Sequence, residues 1–278
     1  ATALPGNILA PFIEGNMLQI IFIALLLGLG LGLLGERGSR LKGLVDDCYA
    51  LFLRITSLII ALVPLPTFCA MARLAASTGA DTLLPLLKLL GGIVAGMLAL
   101  LLAYALLLMI ARLDPRVFYR KWASTLLLVF SLNSATATVP LTMAACRERL
   151  GIPSRICSLT IPVGATVNKD GTCVYLIMSA LFLAQAYGVE LAPADKLSLA
   201  LSVFLLSAAS PGISGAGLVS LSLLAAQYRI PLEGVGMLMG LDKLFGMMRS
   251  AVNVTGDVAV SSLVAAWEKT LDRSAFSA

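Results

Sequence analysis

Histidine is absent from the 278 residues, and only 13% of them are charged. A soluble domain of this length keeps about a quarter of its residues charged. With 59% hydrophobic residues, the apolar surplus is too large for one aqueous core, so part of the surrounding solvent must be lipid. The five cysteines (Cys48, Cys69, Cys146, Cys157 and Cys173) lack metal-ligand spacing. They read as buried apolar thiols. No cleavable signal pattern precedes the first apolar run, and the chain opens on Ala1-Thr-Ala-Leu-Pro5, so a processed or incompletely represented N-terminus is expected. The net charge is +5, but the basic residues sit in short clusters between apolar stretches. That pattern reads as membrane orientation and excludes a nucleic-acid partner.

Four stretches are long enough to cross a bilayer, at about 17–35, 48–75, 83–111 and 153–187. A fifth, at about 233–267, carries several polar residues. Helix is the expected form, because each segment in lipid must satisfy its own backbone. Two further stretches behave differently. Residues 123–146 carry no charge until their end, but their middle reads Ser131-Leu-Asn-Ser-Ala-Thr-Ala-Thr-Val-Pro140. Residues 197–228 are uncharged, and their middle reads Ser207-Ala-Ala-Ser-Pro-Gly-Ile-Ser-Gly-Ala-Gly217. Each divides into arms of about ten residues around a polar, helix-breaking tip, too short to span. Broken backbone at membrane depth is tolerated where protein buries it or a cavity solvates it. Both stretches therefore read as re-entrant helical hairpins, at about 116–149 and 197–228.

Charge placement agrees with that topology. With both hairpins returning to the side they left, Arg37, Arg40, Lys42, Arg112, Arg116, Arg120, Lys121, Arg147, Arg149, Arg155, Lys269 and Arg273 share one face, and Lys196 and Arg229 the other. The positive-inside rule then has the first hairpin enter from the cytoplasm and the second from outside.

Each hairpin precedes a helix with Asn, Gly and Asp close together: Asn168-Lys-Asp-Gly171 in one, Asn253-Val-Thr-Gly-Asp257 in the other. Interrupted segments in corresponding positions, entering from opposite faces, point to inverted repeats and a transporter site at the membrane midplane. In the last helix Asp242, Gly246, Arg249, Asn253 and Asp257 follow at spacings of four, three, four and four, which is one helix face. Such a polar stripe on an apolar rod belongs in a protein interior. Arg249 suits a carboxylate, which its planar fork can hold bidentately. Backbone N–H groups at the broken tips suit a second carboxylate. Asp170 and Asp257, with carbonyls near Gly164, Asn168 and Asn253, offer hard oxygen ligands for a cation such as Na⁺.

At these residues the sequence resembles the dicarboxylate/amino acid:cation symporter family, the glutamate transporter homologues. Pro162-Val-Gly-Ala-Thr-Val-Asn-Lys-Asp-Gly-Thr172 is similar to the family's P-L-G-A-T-I-N-M-D-G-T, and Arg249-Ser-Ala-Val-Asn-Val-Thr-Gly-Asp257 to R-T-x-V-N-V-x-G-D. Ser134-Ala-Thr-Ala-Thr-Val-Pro-Leu-Thr142 stands where the family has its serine-rich tip, and Gly212-Ile-Ser-Gly-Ala-Gly217 where it has G-[VI]-P-G-[AG]-G. With Asn16-Met-Leu-Gln-Ile20, the likeness runs through essentially the whole chain and corresponds to the C-terminal part of the family fold. The earlier helices of that fold, part of one sodium site included, have no counterpart.

The resemblance implies an all-α, multi-pass protein of the cell membrane, with residues 1–82 as scaffold helices and 83–278 as the transport domain. It also implies a homotrimer, elevator movement of each transport domain with the second hairpin as outer gate, no enzymatic activity, and no cofactor beyond Na⁺ or H⁺ as coupling ion. By the same resemblance Ser134, Ala135 and Thr136 contact one substrate carboxylate. Thr172, Gly212, Gly246, Arg249, Ser250 and Asn253 complete the substrate pocket. Gly164, Asn168, Asn253 and Asp257 hold one sodium, Asp170 contributes to a second, and Thr166, Ser207, Ala208 and Ser210 line a third.

Three positions depart from the family pattern. Lys169 replaces a Met beside a sodium site, Gly246 replaces the Asp that receives an amino group in amino-acid carriers, and Ser214 replaces a Pro. Lys169 is accordingly expected to modify coupling, and Gly246 to favour a C4 dicarboxylate over an acidic amino acid. A passive anion channel or a transport-inactive subunit is the alternative that Lys169 and the short N-terminal part leave open. An intramembrane aspartyl protease pairing Asp170 with Asp257 needs a Gly at position 254, which is Val, and leaves Arg249 unused.

Overall fold

The computed structural model describes residue 11 and residues 17–62, 83–210 and 215–277. Within them the chain is all-helical, without a strand. Helix α1 (Met17–Leu33) leads through a 3₁₀ turn (Gly35–Gly38) into α2 (Ser39–Leu62). Then come α3 (Leu83–Ile110), α4 (Pro115–Leu132), α5 (Val139–Leu150), α6 (Ser154–Val167) and α7 (Asp170–Ala186). The chain continues with α8 (Pro193–Ala209), α9 (Ala216–Gln227), α10 (Glu233–Met239), α11 (Asp242–Trp267) and α12 (Arg273–Ser277).

Among the described residues one helix, Leu84–Ile110, is long and apolar enough to cross a membrane by length and composition. Its 28 residues in α3 rise about 42 Å at 1.5 Å each. Leu86, Leu89, Ile93, Met97, Tyr104 and Leu108 recur at helical spacing and are buried against the rest of the protein. Leu87, Leu98, Leu102, Leu106, Met109 and Ile110 cover the opposite face and are exposed. A rod apolar on every side, with one side bare, needs an apolar surrounding.

Helix α11 lies at the centre, packed on α3, α4, α6 and α7. From Arg249 to Ala259 every residue is buried, the polar ones included. Trp122 ties α4 to it by donating from Nε1 to Thr255 Oγ1 at 2.9 Å. Two pairs of helices flank this core, α4 with α5 and α8 with α9, and the arms of each pair touch. In the first pair Pro115 fits the opening turn, and the Asp114 carboxylate caps it by accepting from the Arg116 N–H at 2.8 Å. Asn133 ends α4 in the left-handed region, at φ 50°, which Asn tolerates better than most residues.

Several expected boundaries move. The arms of the first pair are 18 and 12 residues and those of the second 17 and 12, longer than the ten read from the uncharged runs. Basic residues Arg116, Arg120 and Lys121 are inside α4, within the expected bounds of 116–149. Residues 153–187, read as one span, are two helices broken at Asn168 and Lys169. The span 233–267 is likewise broken at Gly240 and Leu241. Helix α2 begins at Ser39, nine residues before the expected start at 48, and residues 63–75 of that span lie outside the described residues. Cys146 and Cys157 are buried and Cys173 half-buried, but Cys48 is exposed, against expectation, and Cys69 is outside the described residues.

Candidate functional site

The two Asn-Gly-Asp clusters, 80 and more residues apart in sequence, interlock where α6 breaks into α7 across the middle of α11. Asn168 leaves the helix with extended backbone and spends its side chain on α11. Its Nδ2 donates to Asp257 Oδ1 at 2.9 Å and to the Asn253 carbonyl at 3.2 Å. Asn253 answers: its Oδ1 accepts from the Gly171 N–H at 2.8 Å, and its Nδ2 donates to Thr172 Oγ1 at 3.2 Å. One orphan donor in the first turn of α7 is thereby capped from another helix. Gly164 lets Asp257 in, because a Cβ there would stand 2.6 Å from the carboxylate carbon.

One carboxylate oxygen is left over. Asp257 is 3% exposed and its Oδ2 has no hydrogen-bond partner among the described residues. A buried, unpartnered carboxylate oxygen costs several kcal/mol unless a cation or proton meets it. Asp170 lies half-buried nearby and is engaged by Tyr104 of α3, whose hydroxyl donates to Oδ2 at 2.6 Å. Sequence reading missed Tyr104, although it is a lone hydroxyl in a 28-residue apolar helix. Tyr104→Phe should lower stability by about 1–2 kcal/mol, as loss of a hydrogen bond to a charged group does. Unfolding of the purified protein in detergent checks this; an unchanged midpoint would mean the bond contributes nothing.

Next to this cluster is a cavity of about 30 Å³. Arg249, Ser250, Asn253 and Gly246 of α11 line one side, Lys169 and Thr172 another, Asn133 and Ala135 of the first turn a third. Ser210, Ala216 and Gly217 of the second pair line the fourth. That volume holds about two waters, less than a solute of about eight heavy atoms needs. Arg249 is 6% exposed and sits 4.5 Å above the Tyr175 ring. Its Nη2 is 3.5 Å from Asp242 Oδ1, while its Nε has no hydrogen-bond partner among the described residues. Asp242, two turns earlier on the same face, half-satisfies the guanidinium. A side chain at position 217 would overlap the guanidinium, so Gly217 is where α9 and Arg249 meet.

The remaining expected residues scatter. Lys169 is buried, lines the cavity, and donates from Nζ to the Ala165 carbonyl at 2.6 Å. Ser134 is half-buried and accepts from the Ala137 N–H at 3.2 Å, while Thr136 is exposed; neither lines the cavity. Thr166 is exposed and its hydroxyl donates back to the Pro162 carbonyl. Ser207 is buried, 3.0 Å from Cys173 Sγ, with Ala208 half-buried beside it. Gly212 and Ser214 lie outside the described residues. Asn133, Gly217, Tyr175 and Asp242 were not among the expected site residues. The Asn and Gly gave no signal beyond marking turns.

Comparison with known proteins adds an independent observation. The model of the sodium:dicarboxylate symporter family matches residues 1–267. The chain is similar to C4-dicarboxylate transport protein 1 of Ralstonia nicotianae, at 33% identity over 98% of this chain and 64% of the relative. It is also similar to the C4-dicarboxylate transport protein of Paraburkholderia xenovorans, at 32% identity over 99% of this chain and 65% of the relative. The chain thus spans just under two thirds of the length of these relatives.

Proposed function

Because the chain belongs to the sodium:dicarboxylate symporter family, we propose that it forms the substrate-holding part of a cation-coupled symporter for a C4 dicarboxylate. The observation that carries this reading is Arg249, a buried guanidinium whose Nε–H has no hydrogen-bond partner among the described residues, beside a polar cavity. Membrane interiors keep such groups for function. Similarity to proteins named C4-dicarboxylate transporters supports the substrate class. The chain works as a multi-pass protein of the cell membrane, with the two helix pairs as re-entrant hairpins of an inverted repeat. The unpartnered oxygen of Asp257, near Asp170, supports a site for the coupling cation, Na⁺ or H⁺. In the cycle the second hairpin lifts from Arg249 to admit substrate, closes over it, and the transport domain crosses by an elevator movement within a homotrimer. Solute transport, not catalysis, is its role.

Selectivity follows from Gly246. Asn133 fills the space an acidic side chain would take there, its Oδ1 2.5 Å from where a Cβ would sit. An amide receives an ammonium less well than a carboxylate does, and an unpaired buried ammonium is costly. Succinate, fumarate and malate should therefore displace labelled substrate at concentrations at least about tenfold lower than aspartate or glutamate, a difference of about 1.4 kcal/mol. The reverse order in a competition assay would overturn the dicarboxylate reading in favour of an amino acid.

A further inference from the structure

Among the described residues, five acidic or basic side chains are buried or half-buried in or beside the cavity: Asp170, Asp242 and Asp257 against Lys169 and Arg249, the last two lining it. With all five charged, the site carries one excess negative charge before any substrate arrives. A dianionic substrate raises that excess to three. Uncompensated charge is not sustained in a low-dielectric interior, so binding must draw cations from solution. Lys169 decides how many.

Its position is built. Lys169 occupies the break between α6 and α7, directly before Asp170, and is 5% exposed. Its ammonium donates to the Ala165 carbonyl in the last turn of α6, where the helix end carries partial negative charge. Among the described residues no carboxylate oxygen lies within ion-pair distance of it, so no single acid cancels its charge. It faces the same cavity as Arg249.

Resting on the dicarboxylate reading above, we infer that Lys169 is a tethered counter-cation that replaces one solute cation in the binding of a dianion. Removing its charge leaves a fourth excess negative charge to be met from solution. The hydrogen bond to Ala165 is a separate contribution. Lys169→Gln keeps a donor for that carbonyl and removes the charge, while Lys169→Arg keeps the charge.

Calorimetric titration of succinate into the purified chain, over a NaCl series at constant ionic strength, separates the two roles. Lys169→Gln is expected to steepen the dependence of log affinity on log sodium concentration by about one unit. At low sodium it should also weaken binding on the order of tenfold to a hundredfold. Lys169→Arg is expected to keep the wild-type slope. An unchanged slope in Lys169→Gln overturns the inference and leaves Lys169 a structural cap. The wild-type chain gives a test that needs no variant: three excess charges allow a slope of up to about three. A slope of four or more overturns the inference, because Lys169 then supplies nothing. Absence of succinate binding to the wild type at every sodium concentration overturns the dicarboxylate reading itself.

Discussion

Replacing Arg249 with alanine is expected to weaken dicarboxylate binding by at least about two orders of magnitude, since truncating a buried charge that meets its partner costs about 2–5 kcal/mol. The same substitution should also destabilise the protein. Asp242 is 7% exposed and, among the described residues, its Oδ1 has no hydrogen-bond partner beyond the 3.5 Å ion pair with Arg249. Left alone, a buried carboxylate of this kind costs about 3–5 kcal/mol. Binding and folding therefore fail together in the single variant. They separate in Arg249→Ala combined with Asp242→Asn, which removes the stranded charge. The double variant should regain most of the lost unfolding temperature and still not bind succinate. Near-wild-type affinity in the double variant would remove Arg249 from the site and leave it a structural ion pair.

Gly217→Ala carries the second large effect. A methyl group there would overlap the Arg249 guanidinium, which stacks 4.5 Å from the Tyr175 ring centre on another side. Either the guanidinium leaves its place or α9 lifts away. Overpacking of this kind costs about 1–3 kcal/mol of stability. Affinity for succinate should fall at least about tenfold, a further 1.4 kcal/mol. Gly91 in α3 is the control, because a Cβ there meets nothing within 4 Å. Gly91→Ala should leave affinity unchanged and help the helix slightly. Equal behaviour of the two alanine variants in a binding titration would show that closeness to Arg249 is irrelevant to the second hairpin.

What the sequence made legible was periodicity and contrast. The apolar run of α3 and the four-three-four-four spacing on α11 were readable because helical geometry alone places those residues. The first tip was readable because Asn, Ser, Thr and Pro interrupt an uncharged run. The break at Asn168 was not, because neither Gly nor Pro stands at it. Its cause is tertiary: the Asn168 amide leaves its helix to bond Asp257 and the Asn253 carbonyl, 85 and more residues away. The pairing of Arg249 with Asp242 hid in plain spacing, two turns apart on one face, because reach across seven residues depends on the arginine rotamer. The start of the first hairpin at 116 was readable because an amphipathic helix carries residues such as Arg116, Arg120 and Lys121 in its opening turns without breaking.

If, as proposed, this chain moves a C4 dicarboxylate through a site built around Arg249, it behaves as a carrier. Counterflow in proteoliposomes tests it most directly, since only a carrier exchanges labelled solute outside for unlabelled solute inside without net current. With sodium present, vesicles holding the wild-type chain and loaded with unlabelled succinate should accumulate labelled succinate transiently above the external concentration, and Arg249→Ala vesicles should not. Labelled succinate that enters wild-type vesicles at the same rate whether or not succinate is inside, and never exceeds the external concentration, would contradict the account.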